Sequence, residues 1–211
     1  MNEKKKAVIF DLDGTLWDST IQVMESWNSV FINYNTQITH EQMCSYMGKT
    51  QLEIGRLIFP ELPMDQVIRI MTEATEMEHP YVRQHGGRIY SGVEDMLKAL
   101  SEKNMFLAIV SNCQDGYVQA FLEYSGLGRY FHDFEMAGRT GKSKGENILL
   151  VMERNGLASA VYLGDTEGDQ KAAGQADIPF IYAEWGFGNC FNPDYSASSA
   201  GEIPALIEKI L

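Results

Sequence analysis

Two hydrophobic patterns divide the chain. The first is the short, unbroken apolar run: residues 7–10, 106–110, 160–163 and 179–183. Runs of that length, bounded by turn residues, predict strands buried on both faces. The second is helical spacing. Ile21, Met24, Trp27, Val30, Phe31 and Tyr34 recur at intervals of three and four, predicting a helix over 21–34. Thr39 with Gln42 forms a capping-box pattern that opens a second helix, ending near Met47-Gly48. Residues 51–58 predict a third, closed by Phe59-Pro60. A longer helix starts at Met64 or Asp65 and carries Val67, Ile70, Met71 and Ala74 on its apolar side. Pro80 is expected to end or kink it. From Gly92 onward, helices over 93–103, 115–125, 145–155, 169–176 and 203–211 alternate with the apolar runs. Residues 131–137 read as a short strand or extended piece, and 186–200 as loop.

Strands alternating with helices imply βαβ units. The expected fold class is α/β, a Rossmann-like parallel sheet with helices on both faces, plus a small all-α insertion. The boundaries read as a core of residues 1–16 and 87–211 and a helical cap of residues 17–86. Right-handed crossovers gather the strand C-termini along one edge, where open α/β sheets bind ligands.

Charge narrows the partners. The chain has 211 residues with 29 acids against 17 bases, a net charge of −12. Nucleic acid and anionic membrane call for a basic face, and the one basic run, Lys4-Lys5-Lys6, reads as a solvated lead-in to the first strand. The apolar run after it is cut short by Asp11, unlike a signal peptide. No stretch approaches the ~20 apolar residues of a membrane span. Cys44, Cys113 and Cys190 are widely separated and form no CxxC, so free thiols in a cytoplasmic protein are expected. The histidines show no ligand spacing.

The polar residues at strand ends carry the chemistry. Asp11 and Asp13 leave the first strand two residues apart, so extended geometry sends both carboxylates to one side. Ser111 and Asn112 end the second apolar run, and Asp165 ends the third with Asp169 four residues on. Acids so gathered repel each other unless a cation joins them. Oxygen ligands without histidine or cysteine favour Mg²⁺, which keeps several waters and a substrate phosphate. Phosphate also needs donors and a cation from the protein. Ser111 and Asn112 supply the donors, and Lys142 or Lys144, in the loop before a helix, the cation.

These residues resemble the motifs of the haloacid dehalogenase-like superfamily of phosphohydrolases. Asp11-Leu12-Asp13-Gly14-Thr15-Leu16-Trp17-Asp18-Ser19 resembles DxDGTLxDS; Ile109-Val110-Ser111-Asn112 resembles the second motif; Lys144 opens a segment like the third; and Gly164-Asp165-Thr166-Glu167-Gly168-Asp169 resembles GDxxxD. The helical insertion resembles the cap of the phosphoglycolate phosphatase and β-phosphoglucomutase branch. Ser91 stands where a proline commonly precedes the re-entry glycine. The resemblance implies Asp11 as nucleophile and Asp13 as general acid and base. It implies Mg²⁺ held by Asp11, Asp13 (through its carbonyl) and Asp165. Ser111, Asn112 and Lys144 would hold phosphate, and Asp169 would be a water-mediated ligand or orient Lys144. Asp13 argues against dehalogenation and phosphonate chemistry, whose relatives lack that acid. Lys49, in a loop between cap helices, and Arg56 are candidate specificity residues. Trp17 reads as packing under the cap, and Trp185-Gly186-Phe187-Gly188 as a loop at the site's rim.

The expected function is a Mg²⁺-dependent phosphatase that hydrolyses a small phosphorylated metabolite through an aspartyl-phosphate. A phosphomutase of the β-phosphoglucomutase type uses the same acids, and a noncatalytic binding protein on the same fold is the third alternative. A monomer or weak homodimer is expected.

Overall fold

The computed structural model describes residues 5–211. Lys4 of the basic run lies outside them. Chain order is β1 (Lys5–Phe10), β2 (Trp17–Asp18), α1 (Thr20–Phe31), α2 (His40–Tyr46), α3 (Gln51–Ile58), α4 (Met64–His85), β3 (Arg88–Ile89), α5 (Val93–Glu102), β4 (Phe106–Ser111), α6 (Tyr117–Ser125), β5 (Asp133–Met136), α7 (Ala137–Thr140), α8 (Lys144–Asn155), β6 (Leu157–Gly164), α9 (Glu167–Gln175), β7 (Phe180–Ala183), β8 (Tyr195–Ala197) and α10 (Ile203–Ile210).

β1 sits inside a parallel sheet of order β5-β4-β1-β6-β7-β8. Ala7 pairs with Phe106 on one side and Ala160 on the other; Phe10 pairs with Ile109 and Leu163. Alternate residues feed two cores. Val8, Phe10, Leu107, Ile109, Val161 and Leu163 join one cluster with α5, α6 and α10. Ala7, Ile9, Ala108, Val110 and Tyr162 join the other with Ile148 of α8 and Ala173 of α9. Both faces are covered, which is why these strands are apolar at every position rather than alternating. From β1 the chain winds to β4, and from β6 it winds the other way to β7. The crevice between the C-terminal ends of β1 and β6 is therefore the topological switch point.

The helical cap region lies between β2 and β3, which pair antiparallel as a two-stranded ribbon, Trp17 with Ile89 and Asp18 with Arg88. Trp17 is fully buried beneath the cap, edge-on to Phe121 (4.9 Å) and Tyr117 (5.9 Å), so its role is packing. α1 and α4 pack along each other and α4 also meets α6 of the core. The Thr39–Gln42 and Thr50–Glu53 capping boxes both form.

The structure refines the pattern at four places. α4 runs through Pro80 to His85: Val82, beyond the proline, is fully buried, and this packing against α1 and α6 offsets the hydrogen bond that proline cannot make. The first cap helix is α-helical only to Phe31, after which Ile32–Tyr34 tightens to a 3-10 turn ending at left-handed Asn35 (φ 52°). The 186–200 segment contains β8, a short edge strand with two exposed residues and so no apolar pattern to read. β2 and β3, two residues each, were likewise invisible in the sequence. Among the described residues no helix is long and apolar enough to cross a membrane.

Candidate active site

The site begins where β1 runs out. Asp11 N–H still donates to Leu163 O (2.8 Å), so Asp11 holds sheet geometry while its side chain leaves the edge. The next residues turn sharply, with Gly14 at φ +88° and its N–H on Trp17 O (2.9 Å). A side chain at Gly14 would strike the Asp165 carboxylate, and one at Gly186 the Asp165 Cβ. Asp165, at the end of β6, is thus cradled by glycine backbone. Its Oδ2 accepts the N–H groups of Phe187 (2.8 Å) and Gly188 (3.3 Å), while its Oδ1 is buried with no partner among the described residues. The Trp185-Gly186-Phe187-Gly188 loop therefore holds Asp165 through backbone, and Trp185 Nε1 ties it to Thr15 O (3.1 Å).

Lys144 enters from α8. Ser143 caps that helix in a box with Glu146, fixing Lys144 as the first helical residue. A cation there opposes the helix dipole, and burial opposes it further, as Lys144 is only 6% exposed. Its ammonium is held by Asp11 Oδ1 (2.8 Å) and Asp169 Oδ1 (2.5 Å). Burial alone would lower its pKa, but the charges of Asp11 and Asp169 override that and hold it well above the ordinary lysine value. Lys142 is solvent-exposed. The structure thus brings Lys144, not Lys142, to the acids.

Asp169 caps α9 together with Thr166. Its Oδ2 accepts from Asp165 N (3.2 Å), Thr166 N (2.9 Å) and Thr166 Oγ1 (2.7 Å), and its Oδ1 is taken by Lys144. Asp13 has partners of its own. Its Oδ1 accepts from Tyr117 OH (2.7 Å) and Ser19 Oγ (3.0 Å), and those two hydroxyls also bond each other.

Burial shapes the acids. It pushes Asp11 well above the usual carboxylate range, with Asp169 adding to the rise and Lys144 opposing it. Burial raises Asp13 to about 6 against the hydrogen bonds from Tyr117 and Ser19. It raises Asp165 to about 7, aided by Asp169 and opposed by the Phe187 N–H and by Lys144. One carboxylate oxygen each from Asp11, Asp165 and Asp169 lies within 4.8 Å of the others, so this cluster could hold a divalent metal such as Mg²⁺. The all-oxygen donor set suits that ion, and the orphaned Asp165 Oδ1 is a buried acceptor waiting for a positive partner. Asp169 Oδ1 already accepts from Lys144 and its Oδ2 from three donors.

A cavity between core and cap opens onto these groups. Asp11, Asp13, Ser111, Asn112 and Lys144 form its core wall. The Gly48-Lys49 loop reaches over it: Asn112 Nδ2 donates to Gly48 O (2.9 Å), and a Cβ on Gly48 would touch Thr166. Lys49 borders the cavity but is exposed, its ammonium on Ser45 O (2.7 Å). Arg56 is not part of the wall. Ile54 is, and two residues further along a helix is about 200° around the axis, so Arg56 faces outward and bonds Leu62 O (3.1 Å).

Two wall residues escaped the sequence reading. Tyr117 gave no signal, since its bond to Asp13 is made across two elements. Glu78 continues the stripe of Val67, Ile70, Met71 and Ala74, four residues beyond the last, and is 6% exposed. A charged residue on an apolar stripe was the available signal. Replacing Tyr117 by Phe leaves Asp13 with one hydroxyl instead of two. The expected result in a steady-state assay is a kcat about tenfold lower with KM nearly unchanged, because Tyr117 orients Asp13.

A Rossmann-like sheet with acids at its switch point, a buried lysine among them and a helical cap over them defines a capped hydrolase. The chain belongs to the haloacid dehalogenase-like hydrolases, whose family profile matches residues 8–183. Among curated proteins it is 27% identical to a phosphoglycolate phosphatase of Photobacterium profundum, covering 90% of each chain. It is 24% identical to the pyrophosphatase PpaX of Oceanobacillus iheyensis, covering 96% of each. It shares its fold with a solved phosphatase from Clostridium acetobutylicum, described as predicted, at TM-score 0.82 and 23% identity, covering 98% and 99% of the two chains.

Proposed function

We propose that the chain is a Mg²⁺-dependent phosphatase that hydrolyses a small phosphorylated metabolite through an aspartyl-phosphate on Asp11. The observation that carries this reading is the convergence of Asp11, Asp13 and Lys144 on one wall of a cavity roofed by the cap. The activities of the phosphoglycolate phosphatase and pyrophosphatase relatives agree with it. In this reading the cap comprises residues 17–86 and the core residues 1–16 and 87–211.

Asp11 attacks phosphorus as the bond to the leaving oxygen breaks, and Asp13 gives that oxygen its proton. Asp13 then takes a proton from water, whose oxygen attacks phosphorus and frees Asp11 and inorganic phosphate. Lys144, Ser111 and Asn112 hold the nonreacting oxygens. Asp169 positions Lys144. Asp11, Asp165 and the Asp13 carbonyl would hold Mg²⁺, which when bound neutralises phosphoryl charge.

The test is phosphate release from a panel of small phosphomonoesters with Mg²⁺, with isomerised sugar phosphate measured separately. Chelation with EDTA is expected to lower release by about 100-fold or more, restored by added Mg²⁺. Isomerisation without phosphate release would replace the phosphatase by a phosphomutase, and full activity in EDTA would remove the metal from the scheme.

A further inference from the structure

The two walls of the cavity differ in chemistry. The core wall offers a lysine and hydroxyl and amide donors beside its acids. The polar part of the cap wall comprises Trp27, Tyr46, Lys49, Gln51, Thr75 and Glu78. Around Glu78 the hydrogens of this wall are spent within the cap. Trp27 Nε1 donates to Glu78 Oε2. Gln51 Nε2 donates to Met71 O (2.6 Å) and to Thr75 Oγ1. The Thr75 hydroxyl donates to Met71 O (3.0 Å). The other Glu78 oxygen and Gln51 Oε1 have no hydrogen-bond donor among the described residues. At Glu78 and Gln51 the cap thus presents acceptors to whatever lies opposite the phosphate.

Charge points the same way. Phosphate uses Lys144 and the metal. Beyond these, the cation on the cavity's border is Lys49, exposed and bonded to Ser45 O. A second anionic group deep in the cap would face Glu78 with no positive partner, a costly arrangement in a buried site.

We propose that the cap wall centred on Glu78 is the subsite for a leaving alcohol that carries hydroxyl or ammonium donors, a small polyol or amino alcohol. It turns away leaving groups that carry a carboxylate or a second phosphate. The inference rests on the phosphatase reading and makes Glu78 a specificity-determining residue. Burial raises the Glu78 carboxyl to about 8, with the Trp27 hydrogen bond opposing and the Asp13 charge adding to the rise. The preference belongs to the carboxylate form, which is acceptor-only; the protonated form carries one O–H donor, and a bound ammonium favours the charged form. This separates the chain from relatives named for phosphoglycolate and pyrophosphate, whose leaving groups are anionic.

The experiment compares kcat/KM for glycerol phosphate and ethanolamine phosphate with kcat/KM for phosphoglycolate and pyrophosphate, in wild type and Glu78→Gln, with Mg²⁺. The amide still accepts from Trp27 but offers donors to an anion. The wild type is expected to favour the better of the first pair at least tenfold over the better of the second. Glu78→Gln is expected to shrink that preference at least fivefold. A wild-type ratio below ten, or a shift below fivefold, overturns the inference; a reversed ratio would return specificity to Lys49. Should the variant fail to fold, the wild-type ratio decides alone. If no panel member releases phosphate, the phosphatase reading itself falls, an outcome distinct from release without the preference.

Discussion

Asp11→Asn is expected to abolish phosphate release while leaving the fold as stable as before, or more so. The loss in kcat is expected to be on the order of 10,000-fold or more, because an amide cannot form the covalent intermediate. Stability behaves differently. Burial and the neighbouring Asp169 both disfavour the Asp11 charge, and Lys144 only partly offsets them. The isosteric amide removes the buried charge and one repulsion, and Lys144 keeps Asp169 at 2.5 Å. Phosphate release and denaturant unfolding in EDTA check the two halves. Activity near wild type would show that Asp11 is not the nucleophile. A large loss of stability would mean that the Lys144 pair is worth more than the burial it offsets.

Lys144→Met is expected to lose both. Lys144 is the one cation bonded to the buried acid cluster among the described residues. Removing one partner of a buried ion pair costs about 3–5 kcal/mol, a large share of the ~5–15 kcal/mol that holds a typical domain. In EDTA the unfolding midpoint is therefore expected to fall sharply. With Mg²⁺ the deficit should shrink, since another positive charge then faces Asp11. Phosphate release is expected to fall by about 1,000-fold even where the protein is folded. Equal deficits with and without Mg²⁺ would argue that the acid cluster holds no metal.

The contrast between these variants shows what a sequence can convey. Asp11, Ser111 and Asp165 were legible because each ends or directly follows a parallel strand buried over its last residues, and such strands are continuous apolar runs; Asp13 was legible from its place two residues after Asp11. The choice between Lys142 and Lys144 was also encoded. Ser143 and Glu146 form a capping box, which makes residue 144 helical and leaves 142 outside. Similarly, Thr166 and Asp169 box the start of α9 two residues before the helix expected at 169. Tyr117 was not legible, and Glu78 showed only as a charge on an apolar stripe. Their meaning lies in what faces them across the cavity, and no local pattern carries that. The ribbon strands and β8 were missed for a different reason: two or three residues are too few to show any period.

That ribbon has a consequence for descent. Because Trp17 pairs with Ile89 and Asp18 with Arg88, the chain leaves the sheet and returns to it at nearly one point. To the sheet, everything between is a single hairpin loop. The entropy of closing a loop grows only as the logarithm of its length, so lengthening, shortening or exchanging that loop costs the sheet little. The acids at the sheet edge and the helices that roof them can therefore accumulate changes at different rates. An old chemistry is left free to acquire new substrates without relearning how to fold.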